Sequence, residues 1–214
     1  LIPDDVQRLL NKSLPWGPLF AKRVNFESGF LSEEERLVAR YLSPGSDVLV
    51  LGSGNGREAR PICHQGHRII CVDLGPLYLV AGRRLFLSEG VDEIVFVQAD
   101  VAALPFAKNS FDFVFFSFYS SQGEKRFDVM HGIYQVMRPG GHLLLTVCTP
   151  KYRQIYRKAH LPMSDWVFFS GAEQLDREVA SCGFILLESN PDPLRPEYRL
   201  SMLKKAAQQR SPCV

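Results

Sequence analysis

Short apolar runs alternate with amphipathic segments along most of this chain. Val48-Leu-Val-Leu51, Arg68-Ile-Ile-Cys-Val72, Ile94-Val-Phe-Val97, Phe111-Asp-Phe-Val-Phe-Phe116 and His142-Leu-Leu-Leu-Thr-Val147 are rich in β-branched and aromatic residues. Such runs are too short for helices and read as strands buried on both faces, as parallel strands are. Helices are expected between them. Ser32 with Glu35 fits a capping box and predicts a helix through Tyr41. Further helices are expected over about 57–65, where Pro61 is tolerated only in a first turn, and from Leu77 to Ser88. Another runs over about 124–137 and stops at Arg138-Pro-Gly-Gly141, and a last one runs from a second capping box, Ser170 with Glu173, to Cys182. Two final strands, Phe184–Glu188 and Tyr198–Leu203, flank a proline-rich loop and can pair antiparallel. The expected architecture is α/β: a doubly wound, seven-stranded, mostly parallel sheet with one antiparallel edge strand.

At 214 residues the chain has room for one such domain and not comfortably for two. That domain is placed at residues 32–205, preceded by a helical and aromatic segment over 1–31 and followed by a polar tail over 206–214. The rings of Trp16, Phe20, Phe26 and Phe30 either cap one edge of the core or form a lid over a ligand cleft. The long irregular stretch 149–169 reads as a substrate cover, because such stretches in compact domains are usually functional. A formal net charge of +2 argues against a dedicated nucleic-acid binder. Five cysteines without a C-x-x-C pair point to neither zinc nor a disulfide framework. Without an apolar run of membrane-spanning length or a signal-peptide pattern, a cytoplasmic protein that does not engage the membrane is expected.

The candidate chemistry centres on Gly52-Ser53-Gly54-Asn55-Gly56, directly after the first strand. Glycines at alternate positions let the backbone turn tightly and let a ligand approach the main chain. A helix N-terminus after such a turn would add free N–H groups and a positive dipole end, favourable to a nucleotide-like or carboxylate-bearing ligand. Asp73, Asp100 and Ser117 fall at the ends of the next three strands in the chain, so all four features meet in the crevice where doubly wound sheets bind ligands. Gly54-x-Gly56-x-x-Ala59 with Asp73 also satisfies the dinucleotide pattern, so the glycines do not by themselves separate a nicotinamide cofactor from others.

Four blocks taken in order, VLVLGSGNG, CVDLG, QADVAALPFAKNSFDFVF and VMRPGGHLLLTV, resemble the class I S-adenosylmethionine-dependent methyltransferases, especially those acting on small molecules. The resemblance covers about residues 32–205. It implies that Gly52, Ser53, Gly54, Asn55 and Gly56 line the loop beneath the methionyl and ribose parts of S-adenosylmethionine, and that S-adenosylhomocysteine is the product. It further implies that Asp73 accepts from the ribose hydroxyls and that Leu74 packs on adenine. Asp100 and the Val101 N–H would meet the adenine edge, and Ser117 and Phe118 would sit nearest the sulfonium. One position departs from the family pattern: Val50 stands where an acidic residue is common. A catalytically silent, cofactor-binding relative acting as a binding or regulatory module is therefore the alternative to an enzyme, with a nicotinamide-dependent oxidoreductase third.

Methyl transfer needs a general base only when the acceptor is protonated, and Tyr119, His131 and His160 are the candidates. The acceptor is expected to be a small molecule. Arg153 and Arg157, in a basic stretch with interleaved aromatics, could attract an anionic one. Trp16, Phe20, Tyr119 and Trp166 would supply the pocket's apolar and aromatic sides.

Overall fold

The computed structural model describes residues 29–117, 125–152, 154 and 171–206. Its sheet contains β1 (Asp47–Leu51), β2 (Arg68–Asp73), β3 (Val95–Gln98), β4 (Phe111–Phe116), β5 (Met137–Cys148), β6 (Phe184–Pro191) and β7 (Tyr198–Lys205). The strand order is β3-β2-β1-β4-β5-β7-β6. Neighbours among β1 to β5 run parallel, while β7 pairs antiparallel with both β5 and β6. The doubly wound, seven-stranded sheet is thus as the pattern implies. Its antiparallel strand lies one place in from the edge, because β7 folds back between β5 and β6.

Helices α1 (Ser32–Tyr41), α2 (Pro76–Ser88), α3 (Arg126–Val136) and α4 (Ala172–Ser181) cover the sheet. Alternate residues of each strand enter opposite layers. Val48, Val50, Cys71, Phe113 and Phe115 pack with Leu37 of α1 and Ala81, Leu85 and Phe86 of α2. Leu49, Leu51, Val72, Val114 and Phe116 pack with Val129, Met130 and Ile133 of α3 and Leu175 and Val179 of α4. Both faces are closed, which is why these strands are nearly continuous apolar runs.

Four local expectations are corrected. The segment after the glycine turn is not an α-helix but a series of turns around a 3-10 helix, Arg60–Ile62, with Pro61 inside it. Proline has no N–H to extend a ladder, and Gly66 ends the segment with φ at 74°. Arg138-Pro-Gly-Gly141 is not a separate stop, since β5 already begins at Met137, with a register irregularity opposite Phe111 and Phe113. The first helix is capped at Leu31 rather than Ser32: Glu34 Oε2 accepts from the Leu31 N–H at 2.7 Å. The second cap also differs: the N-cap of α4 is Gly171, which makes no side-chain cap hydrogen bond, and Ser170 lies outside the described residues.

A remote carboxylate completes the α1 terminus. Asp192, in the β6–β7 turn and only 1% exposed, accepts from the Glu33 N–H at 2.9 Å through Oδ2. Its Oδ1 holds its own turn through the Leu194 and Arg195 N–H groups. Asp192→Ala removes a buried acceptor shared by helix and turn, and should lower the unfolding free energy by about 2 kcal/mol in a urea titration. A loss below about 0.5 kcal/mol would show that water replaces the contact without cost.

Candidate cofactor site

The glycine turn leaves β1 with Gly52, Gly54 and Gly56 at φ of 65°, 54° and 93°, a backbone path that side chains with a Cβ rarely follow. The Ser53 N–H pins the turn to the Val72 carbonyl at 2.9 Å. Asp73, at the end of β2, then joins two loops: Oδ2 accepts from the Gly54 N–H at 2.8 Å and Oδ1 from the Gly75 N–H at 2.8 Å. A carboxylate has about four lone-pair sites, so each oxygen keeps capacity for one hydroxyl of a diol. A Cβ placed on Gly54 would meet nothing within 4 Å, so the space beside this turn is open. Leu74, next to Asp73, is 66% exposed and offers a bare apolar surface to a flat ring. Asp100 is exposed at the end of β3, with Oδ1 folded onto the Ala102 N–H at 2.9 Å, and Val101 beside it is half-buried.

One close approach in the site went unread in the sequence. Gly82 lies inside α2, and a Cβ there would stand 2.9 Å from the carbonyl oxygen of Asn55. The helix therefore packs directly against the backbone of the glycine turn. A glycine in a helix interior, which costs about 1 kcal/mol relative to alanine, was the available signal.

A buried ionic group was also missed. Arg57 forks onto Glu34, with Nη1 to Oε2 at 2.7 Å and Nη2 to Oε1 at 2.9 Å, while Nη2 also reaches Glu58 Oε1 at 2.6 Å. Its Nη1 donates as well to the Gly29 carbonyl at 2.8 Å, which ties the start of the described chain to the cofactor turn. Burial disfavours the charge on Arg57, but Glu58 and Glu34 outweigh it and hold the guanidinium pKa above its ordinary value. Ser117, at the end of β4, donates Oγ to Glu58 Oε1 at 3.0 Å. In the sequence, Arg57 and Glu58 are simply the first residues of the helix expected over about 57–65. Burial and a partner from α1, twenty-three positions away, could not be read there.

Val50 is 1% exposed and packs in the apolar layer with Phe113, Phe115 and Ala59. Cys71, beneath the turn, has its thiol pKa pushed up by burial and then by Glu58, so it stays protonated and is a poor nucleophile. Among the described residues no group of three His, Cys, Asp or Glu could hold a metal ion. Also among them, no helix is long and apolar enough to cross a membrane.

The structure brings Gly52 to Gly56, Asp73, Leu74, Asp100, Val101 and Ser117 to the carboxyl ends of β1 to β4. His131 is exposed in the middle of α3. Phe118, Tyr119, His160, Trp16, Phe20, Arg153, Arg157 and Trp166 lie outside the described residues or have side chains that do.

The site lies where the strand order reverses between β1 and β4, the place where doubly wound sheets bind ligands, and a carboxylate bridges its first two loops. The chain's relatives indicate the class. The family described as "Methyltransferase domain" matches residues 49–145. The ubiquinone/menaquinone biosynthesis C-methyltransferase UbiE of Legionella pneumophila is 29% identical over 146 residues, covering 66% of this chain and 56% of that protein. The chain thus spans little more than half the length of the curated relatives it matches. Among solved structures, a methyltransferase in complex with the Haloferax volcanii Trm112 methyltransferase activator superposes with a TM-score of 0.72 at 16% identity, covering 96% of this chain and 100% of that one. The CcbJ methyltransferase of Streptomyces caelestis gives 0.70 at 18% identity, covering 91% and 99%. Over residues 49–145 this chain is similar to methyltransferase domains, a likeness that supports S-adenosylmethionine as its cofactor.

Proposed function

We propose that this protein transfers the methyl group of S-adenosylmethionine to a small-molecule acceptor by direct displacement. The observation that carries the reading is Asp73, bonded to the Gly54 and Gly75 N–H groups with acceptor capacity left on both oxygens. Asp73 would accept from the ribose hydroxyls, Leu74 would cover one face of adenine, and Asp100 would take its exocyclic amine. When bound, the cofactor supplies an electrophilic methyl group on a sulfonium leaving group. The contribution of the chain is then alignment and exclusion of water more than acid–base chemistry. A general base, where the acceptor needs one, would come from Tyr119, His160 or His131; the exposure of His131 puts it behind the other two.

The acceptor reading rests on sequence and relatives. Arg153 and Arg157 favour an anionic acceptor, and Trp16, Phe20, Tyr119 and Trp166 would wall its pocket. The UbiE relatives are C-methyltransferases by name, so a carbon acceptor is the first to test. We place the protein in the cytoplasm, with nucleic acid and membranes outside its partners. A nicotinamide enzyme is disfavoured by one observation. The glycine turn leads into a 3-10 turn of three residues, not an α-helix whose dipole would face a pyrophosphate.

Calorimetric titration with S-adenosylmethionine, S-adenosylhomocysteine and NADH tests the reading. Micromolar binding of the first two, silence from NADH, and at least a tenfold loss in Asp73→Ala are expected. NADH binding alone would overturn it. Cofactor binding without turnover on any acceptor would favour the binding-module alternative.

A further inference from the structure

The ionic group under the glycine turn does not balance. Arg57 provides one positive charge against the carboxylates of Glu34 and Glu58, and the three side chains are 9%, 1% and 7% exposed. Both arms of the guanidinium fork are committed to Glu34, with only a side contact left for Glu58. The two hydrogen bonds that Glu58 receives, from Arg57 and from the neutral Ser117 hydroxyl, fall on one oxygen, Oε1. Among the described residues, Oε2 receives none. Oε2 is not among the sealed, unpartnered atoms, so this carboxylate, which shares its counter-ion Arg57 with Glu34, keeps one oxygen open to a further cation.

Its position shows where that cation would come from. Ser117 places the Glu58 carboxylate at the carboxyl end of β4, beside the turn that leaves β1, on the two strands where the sheet order reverses. Ser53, in the same turn, is 4% exposed, and among the described residues its Oγ has no partner beyond a weak contact with the Cys71 thiol, which also feels Glu58. Two polar groups with spare capacity, Ser53 and Glu58, therefore sit beside the glycine turn at the carboxyl ends of β1 and β4. Val50, by contrast, is sealed in the apolar layer and offers nothing polar.

We propose that Glu58 receives the α-ammonium of the cofactor's methionyl end, taking over the task of the carboxylate that Val50 lacks. The inference rests on the cofactor reading above. The ammonium completes the charge balance of the Glu34–Arg57–Glu58 group, and Ser117 acts as a positioning residue that turns the carboxylate toward it.

The test is a cycle between protein and ligand, read as binding and not as turnover. S-Adenosylhomocysteine and its analogue lacking the amino group are titrated calorimetrically into the unsubstituted protein and Glu58→Gln, with melting temperatures recorded in parallel. Glu58→Gln should weaken S-adenosylhomocysteine by roughly ten- to hundredfold, the range for losing a charge-assisted hydrogen bond. The deaminated analogue should change by no more than about twofold, because it has no ammonium to lose. Equal loss for both ligands, or loss for neither, would overturn the proposal. A loss for S-adenosylmethionine without one for S-adenosylhomocysteine would also overturn it, since it would point to the sulfonium. Failure of the unsubstituted protein to bind S-adenosylhomocysteine would remove the cofactor reading itself. If Glu58→Gln does not fold, Ser117→Ala should give the same selectivity at smaller size, and equal effects on both ligands there would count against the idea.

Discussion

Replacing Arg57 by leucine should lower the stability of this domain by about 3–5 kcal/mol, the cost of removing one partner from a buried ion pair. The reason is the position of Glu34. It is 1% exposed, and besides Arg57 it has, among the described residues, only the Leu31 N–H and a distant Thr146 hydroxyl at 3.5 Å. Without the guanidinium, two carboxylates would face each other in a dry site. For a domain of this size each kcal/mol shifts the melting temperature by roughly 2–4 °C, so a fall on the order of 10 °C is expected in a thermal scan. Substituting Glu34 and Glu58 together with Arg57 by neutral residues of similar volume should recover most of that loss, because an intact buried ion pair contributes little net stability. A single variant that melted within about 2 °C of the unsubstituted protein would show that water reaches the group.

Gly82→Ala should damage cofactor binding more than folding. The new methyl group would lie 2.7 Å from Phe96 Cε1 and 2.9 Å from the Asn55 carbonyl oxygen. The Phe96 ring can rotate away, but the carbonyl belongs to the backbone of the cofactor turn. Alanine would gain about 1 kcal/mol in helix propensity, offsetting part of the strain. The remainder appears as displacement of the turn, and misplacing an aligned site by tenths of an ångström is costly to function. At least a tenfold loss of S-adenosylhomocysteine affinity is expected by calorimetry, with a change of only a few degrees in melting temperature. Unchanged affinity would show that α2 can move instead of the turn.

The parts of the site that were legible in the sequence share one property: their function needs a residue type at a strand end. Asp73 and Asp100 stand out because a carboxylate follows an apolar run, and the glycines because a tight turn needs them. The segment after the turn was misread because the expected helix assumed Pro61 could sit in its first turn, whereas the chain turns through a 3-10 helix there. Arg57, Glu58 and Gly82 were missed for a different reason. Their roles depend on what packs over them, and a charged pair or a helical glycine has the same appearance whether exposed or buried.

The order of apolar runs and turns in the sequence determined the doubly wound sheet, because strands closed on both faces must be apolar along most of their length. It also determined where a ligand crevice would open, because glycines and strand-end carboxylates mark the loops at the strands' carboxyl ends. Only the tertiary structure decided which charges are buried and what answers them. Asp192 caps a helix 159 positions away. Lys205 reaches the carbonyls of Tyr134 and Met137 at the end of α3, at 2.7 and 2.8 Å, where a cation satisfies the last turn. Glu34 and Glu58 share one guanidinium beneath the cofactor turn. Backbone ladders and apolar faces follow from local pattern. The pairing of polar groups out of water depends on side chains that meet only once the layers have closed.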